Sequence, residues 1–156
     1  IMTHLLEEVV KFGTGWRVRA LKRPVAGKTG TTNNLHDAWF IGYTPSYTTG
    51  VWVGFDKERP LGVNETGSRA ASPIWLEFMK TFLEGTPVED FEVPKGIEFA
   101  KIDTATGLLA DSTTKEAVFE AYKEGSAPKL TSSQAQEKPK LKDLFKKMES
   151  EKELFR

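Results

Sequence analysis

The sequence predicts an α+β fold: an antiparallel β-sheet with helices packed on it, then a small β extension and a disordered tail. Three observations carry this. Ala38–Tyr43 and Thr49–Phe55 are rich in aromatic and β-branched residues and flank the turn Thr44-Pro45-Ser46-Tyr47, which reads as a hairpin. Ala71, Ile74, Trp75, Phe78, Met79, Phe82 and Leu83 recur at helical spacing. Residues 125–140 offer almost nothing to bury.

Each element has a local reason. Met2, Leu5, Leu6, Val9 and Val10 predict a first helix, stopped by Gly13-Thr14-Gly15. A stretch rich in β-formers follows, and Val25–Thr32 reads as a strand. Both hairpin strands are apolar on both faces (Trp39, Phe40, Ile41, Tyr43; Val51, Trp52, Val53, Phe55), so the pair is expected to be central in a sheet. Arg59–Ala71 is a polar connection. Ser72-Pro73 reads as an N-cap followed by proline at the first helical position, and Gly85 and Pro87 end that helix. Its wide apolar stripe is expected to lie on the sheet.

Past Pro94, Ile97–Asp103 and Leu108–Ala110 read as short strands around Thr104-Ala105-Thr106-Gly107. The expected divisions are 1–90 for the main sheet-and-helix portion and 91–124 for a small β extension. A disordered linker is expected over 125–140, and a charged terminal helix over 141–156, built on Leu141, Leu144, Phe145 and Met148.

Composition excludes several function classes. With 22 basic and 22 acidic residues, nothing points to nucleic acid or an anionic membrane. Without cysteine there is no disulfide, thiol catalysis or cysteine-held metal. No apolar run approaches the roughly 18–20 residues of a membrane span. Ile1-Met2-Thr3-His4-Leu5 is not a signal peptide, and the chain opens inside an amphipathic pattern, as a piece of a longer protein would. His4 and His36 lack a third ligand at metal spacing and read as ordinary surface or cap residues. Glu7-Glu8, Glu89-Asp90 and Lys146-Lys147 read as solvated faces.

The chemistry concentrates in Ala26-Gly27-Lys28-Thr29-Gly30-Thr31-Thr32. A phosphate-binding loop would need glycine at position 22, which is Lys22, and a helix opening after the Gly-Lys pair. The segment instead offers a cation at Lys28, for a substrate carboxylate or for tuning a neighbouring hydroxyl, and hydroxyls at Thr29 and Thr31 that can bond the same carboxylate. Gly30 allows close approach of a ligand backbone. Strict alternation puts Lys28 and Thr29 on opposite faces, so serving one cleft would require an edge strand that twists at Gly30.

Around this triplet stand Arg23-Pro24-Val25 before it, Asn33-Asn34 after it, then Asp37-Ala38-Trp39-Phe40-Ile41-Gly42-Tyr43-Thr44-Pro45 and Val51-Trp52-Val53-Gly54-Phe55-Asp56. With Ile1-Met2-Thr3, Gly13-Thr14-Gly15, Thr66-Gly67-Ser68 and Ala70-Ala71-Ser72-Pro73-Ile74-Trp75, they closely resemble the end of the transpeptidase domain of class A, bifunctional penicillin-binding proteins of the 1A type. Val93-Pro94-Lys95-Gly96-Ile97, Lys101-Ile102-Asp103 and Thr106-Gly107 extend the resemblance to about residue 125. Ser68 and Ser72 stand where that family often has glycine and alanine.

The resemblance implies a partial β-lactamase/transpeptidase-like domain from a serine acyltransferase that cross-links peptidoglycan stem peptides at their D-Ala-D-Ala ends and is trapped by β-lactams. It implies no cofactor and no metal. Lys28, Thr29 and Thr31 would hold the terminal carboxylate beside Gly30, and the Thr31 N–H would donate to the acyl oxyanion. It also implies a full-length protein anchored in the bacterial cytoplasmic membrane and facing the periplasm, with a glycosyltransferase domain farther upstream. Two further motifs are needed, both before Lys-Thr-Gly. Ser-x-Asn is absent, and Ser-x-x-Lys occurs only after it, at Ser112–Lys115 and Ser126–Lys129. Neither context suits a nucleophile at the start of a buried helix, so the catalytic serine is expected outside this chain, leaving the 156 residues inactive by themselves. A β-lactam-hydrolysing relative and a non-catalytic wall-binding module are the other classes.

Overall fold

A computed structural model describes residues 1–136, in two compact units that divide between Lys95 and Gly96. The expected helix over 141–156 and the linker residues 137–140 lie outside the described residues.

In the first unit, helix α1 (Met2–Lys11) is followed by a 3-10 segment (Trp16–Leu21), then strands β1 (Ala26–Thr31), β2 (Ala38–Tyr43) and β3 (Thr48–Val53). The three strands form an antiparallel sheet in the order β1-β2-β3. Pairing is one-to-one throughout, from Ala26 opposite Tyr43 to Thr31 opposite Ala38, and from Ala38 opposite Val53 to Tyr43 opposite Thr48. The hairpin turn closes through the Thr44 N–H on the Tyr47 carbonyl, 2.9 Å. Only β2 is central among the described strands. Helices cover one face, where Ala38 and Phe40 are buried, while Trp39, Ile41 and Trp52 on the other are 42 %, 50 % and 46 % exposed. The expectation of cover on both faces is therefore met on one side only within the described residues.

The core is built on an aromatic pair. Trp75 and Phe40 are fully buried and meet edge to face at 5.2 Å, and the Trp75 Nε1–H donates to the Thr49 carbonyl at 2.9 Å. Room for these rings comes from Gly27 and Gly42, which face each other across β1 and β2. A Cβ on Gly42 would sit 2.8 Å from Phe40 and 3.0 Å from Trp75, and one on Gly27 would sit 2.8 Å from Phe40. Val10, Val18, Leu21, Val25, Met79 and Leu83 complete the cluster.

Helix α2 (Ser72–Phe82) follows the expected spacing but not the expected cap. A π-helical turn (Gly67–Ala71) runs directly into it. Ser72 is therefore already interior, is buried, and donates back to the Ser68 carbonyl at 2.8 Å. The stripe divides: Ala71, Trp75, Met79 and Leu83 are buried, whereas Ile74, Phe78 and Phe82 are about half exposed. Phe82 stacks on Phe78 and takes the edge of Tyr47. At the end of α2, the Arg23 guanidinium donates to the carbonyls of Leu83, Thr86 and Pro87 at 2.9, 2.8 and 2.7 Å, satisfying groups that a helix end leaves open. Phe91 packs its ring against Tyr43, and Ser46 donates to Glu89, so the first unit runs past residue 90 and Glu89 is more than a solvated charge.

The second unit pairs β4 (Ile97–Asp103) with β5 (Ala117–Lys123), an element absent from the sequence reading. Leu108–Ala110 is not a full strand; Leu109 bridges both Ile102 and Thr131. Residues 125–136 correct the expected linker. The Leu109 N–H bonds the Leu130 carbonyl, and the Ser132 N–H bonds the Leu109 carbonyl. A short helix, α3 (Ser132–Gln136), then begins with a reciprocal box: the Thr131 N–H donates to Gln134 Oε1, and the Gln134 N–H donates to Thr131 Oγ1. Asp103, buried, accepts Ser132 Oγ–H at 2.6 Å and the Ala105 N–H at 2.8 Å. Asp111 accepts from the N–H and hydroxyl of Ser133 and from those of Thr113.

Gly42→Ala is expected to destabilise the first unit. Overpacking costs about 1–3 kcal/mol, against about 0.4–1 kcal/mol gained from a stiffer unfolded chain, and denaturant titration measures the difference. For the second unit, hydrogen bonds from Ser132 hold the Asp103 carboxyl below its ordinary range, and those from Thr113 and Ser133 do the same for Asp111. Both groups contribute stability that is full above the unfolded carboxylate pKa of about 4 and is lost as pH falls through the lower folded values. Amide exchange around Ser132 and Ser133 should therefore accelerate on acidification below pH of about 4, relative to intrinsic rates, and Ser133→Ala should flatten that dependence.

Candidate functional site

The Lys-Thr-Gly segment occupies β1, an edge strand among the described residues. One bond fixes the phase of its ladder: the Thr32 N–H reaches the Asp37 carbonyl at 3.1 Å. In an antiparallel pair, alternate residues turn both backbone groups toward the partner. Lys28 and Gly30 therefore face β2 with their backbone, and Thr29 and Thr31 turn their N–H and C=O toward the open edge.

Side chains alternate independently of that phase. Lys28 lies opposite Ile41 and shares the uncovered face with Trp39 and Trp52. Thr29 lies opposite Phe40 and Thr31 opposite Ala38, on the helix-covered face. The register passes Gly30 without a bulge, so Lys28 and Thr29 remain on opposite faces. The lysine's own length compensates. Its Nζ folds back to donate to the Thr29 carbonyl at 2.8 Å, which brings the cation to the plane of the sheet at the open edge. Lys28 forms no ion pair among the described residues.

Two groups that sequence reasoning did not connect to the strand touch its hydroxyls. Thr14 Oγ1 lies 2.6 Å from Thr29 Oγ1. The Gly67 N–H donates to Thr31 Oγ1 at 3.1 Å. Gly67 admits no side chain, because a Cβ would stand 2.2 Å from the Trp39 carbonyl oxygen and 2.5 Å from that of Gly30. Beyond Thr31, Asp37 fastens the loop: its Oδ2 accepts Thr32 Oγ1–H at 3.3 Å, its Oδ1 accepts Trp52 Nε1–H at 2.8 Å, and its N–H donates to Thr32 Oγ1 at 2.9 Å. His36 Nδ1 lies 2.9 Å from Glu58 Oε1.

The two Ser-x-x-Lys matches lie in the second unit. Ser112 sits in a turn, and Ser126 donates to the Lys123 carbonyl in another. Neither opens a helix. Among the described residues no three His, Cys, Asp or Glu side chains gather to hold a metal ion, and no helix is long and apolar enough to cross a membrane.

No protein-family model matches the chain. Individual proteins do. Penicillin-binding protein 1A of Pseudomonas aeruginosa is 46 % identical over 129 residues, which cover 82 % of this chain and 16 % of that protein. Penicillin-binding protein 1A of Aquifex aeolicus is 44 % identical over 129 residues, 83 % of this chain and 18 % of that protein. The crystal structure of penicillin-binding protein 1A from Haemophilus influenzae superposes with a TM-score of 0.73 at 34 % identity, covering 83 % of this chain and 20 % of that one. The mixed sheet-and-helix fold is that of a penicillin-binding protein, in part of its transpeptidase region. Within that class the chain belongs to the 1A family, and it spans a fifth or less of the length of these relatives.

Asp37→Ala should free the 32–37 loop while leaving the core intact. Losing hydrogen bonds to a charged acceptor costs about 1.5–3 kcal/mol each. Faster amide exchange at Thr32 and Leu35, with the Val18 and Phe40 amides unchanged, is the expected pattern.

Proposed function

We propose that β1 forms one wall of the active site of a peptidoglycan transpeptidase, a serine acyltransferase acting on D-Ala-D-Ala ends of stem peptides. The observation that carries this is the β1 edge itself, where a cation, two hydroxyls and an outward N–H come together in a chain so similar to penicillin-binding protein 1A. Lys28 and the hydroxyls of Thr29 and Thr31 hold the terminal carboxylate, and Gly30 lets the substrate backbone approach. The Thr31 N–H stabilises the oxyanion as the carbonyl becomes tetrahedral. The serine oxygen, contributed from outside this chain, forms an ester to the penultimate D-alanine carbonyl. The peptide bond breaks, and the terminal D-alanine leaves with the proton. An amine of a second stem peptide then displaces the serine, restoring its hydroxyl. A β-lactam follows the first half of this path and stays attached.

The intact protein works on the outer side of the bacterial cytoplasmic membrane, anchored there, with glycosyltransferase activity on another domain. The 156 residues without a nucleophile neither acylate nor cross-link.

In the full-length protein, Lys28→Ala should slow acylation by a fluorescent penicillin about 10²-fold or more, the scale of losing one oriented electrostatic group in an acyl-transfer site. Unchanged labelling would favour a non-catalytic wall-binding module. The isolated chain should show no covalent label, and a labelled band at its mass would overturn the assignment of the nucleophile elsewhere.

A further inference from the structure

The reading of β1 as a carboxylate wall leaves open which way its hydroxyl hydrogens point. A threonine hydroxyl has one hydrogen and two acceptor sites. To hold an anion, Thr29 and Thr31 must donate, so anything that occupies their acceptor sites from behind favours the useful orientation.

Both residues have such a partner on the helix-covered face. For Thr31 it is the Gly67 N–H, a group that can only donate, at 3.1 Å. For Thr29 it is Thr14 Oγ1 at 2.6 Å, a separation that places one hydrogen between the two oxygens and leaves the other hydroxyl's hydrogen for a third group. An anion beside Thr29 accepts from Thr29. That strengthens the Thr29 oxygen as acceptor and selects the arrangement in which Thr14 donates.

Thr14 is built to stay in place. The Gly13 and Gly15 N–H groups on either side both bond the Val9 carbonyl at 3.1 Å, pinning the loop to the end of α1. A Cβ on Gly13 would stand 2.9 Å from that oxygen. Gly67 has an equally fixed seat against the Gly30 and Trp39 carbonyls.

We infer that Thr14 is a positioning residue that orients the Thr29 hydroxyl as a donor toward the substrate carboxylate, while the Gly67 N–H does the same for Thr31. The inference rests on the proposed role of β1 and adds a layer behind it. Its signature is selectivity for the anion, since a neutral ester in place of the carboxylate gains far less from an oriented donor.

The experiment compares acylation of the full-length protein by a carboxylate-bearing β-lactam and by its methyl ester. Thr14→Val keeps the shape and removes the hydroxyl. It should slow the acid about tenfold, the scale of one hydrogen bond to a charged group, and the ester less than about twofold. Thr14→Ser should restore the acid rate. Thr29→Val should lose the same selectivity, and the double variant should be no worse than Thr29→Val. Thermal unfolding of each variant checks that the domain is intact. Equal slowing of acid and ester by Thr14→Val, or additive losses in the double variant, would assign Thr14 a purely structural role. Selectivity lost in Thr29→Val but kept in Thr14→Val would sink the Thr14 inference alone. Selectivity kept in a folded Thr29→Val would remove the carboxylate wall and the inference with it.

Discussion

Two glycines facing each other across β1 and β2 make the first unit possible. Gly27 and Gly42 leave the space that the Phe40 and Trp75 rings occupy, and a methyl group at either position meets one of those rings at 2.8 Å. The ring pair in turn seats α2 on the sheet, with the Trp75 N–H fixing the helix to the Thr49 carbonyl of β3. Close-packed interiors transmit small volume changes, so the position of β1 depends on this contact. Gly27 immediately precedes Lys28. The glycine that opens this segment is thus a packing residue, and the proposed chemistry begins one residue later.

Strand geometry then sorts the duties of the segment three ways. The backbone phase, set by the Thr32–Asp37 bond, sends the Thr29 and Thr31 amides to the open edge. The side-chain period puts their hydroxyls on the face backed by Thr14 and Gly67. Lys28 starts on the opposite face and returns to the edge by its own reach. A short lysine analogue would stay among Trp39, Ile41 and Trp52, which is why a long flexible cation suits this position better than a compact one.

What the sequence revealed depended on how local the cause was. The hairpin was legible from β-branched and aromatic residues around a Pro-Ser turn: β2 has the expected bounds, and β3 is shifted by one residue at its start and two at its end. Helix α2 was legible from its period, but Ser72 was not a cap, because the π-helical turn before it already supplies the helical path. In the second unit β5 went unread, because Ala117–Lys123 opens on three apolar residues in a row and shows no clean alternation, and the polar composition of 125–136 outweighed the box Thr131-Ser132-Ser133-Gln134. Nothing local joins Thr14 to Thr29 or Gly67 to Thr31. Those contacts span 15 and 36 residues and exist only once the core has formed.

The exit from β1 carries strain. Asn34 and Leu35 both hold positive φ, 60° and 59°. Asparagine tolerates this conformation, whereas leucine in it costs about 1–3 kcal/mol unless its surroundings impose it. Here they do. The Leu35 N–H bonds the Thr32 carbonyl, its own carbonyl accepts the Leu61 N–H at 2.8 Å, and Asp37 ties Thr32 to Trp52 from the far side. A relaxed loop would lengthen the path between Thr31 and Ala38 and loosen the last pair of the ladder. Held tightly, the loop makes Thr31 the fixed end of a strand rather than the frayed start of a connection. In the proposed role, the outward Thr31 N–H needs that fixity, because the worth of an oxyanion donor depends on its being in place before the charge appears.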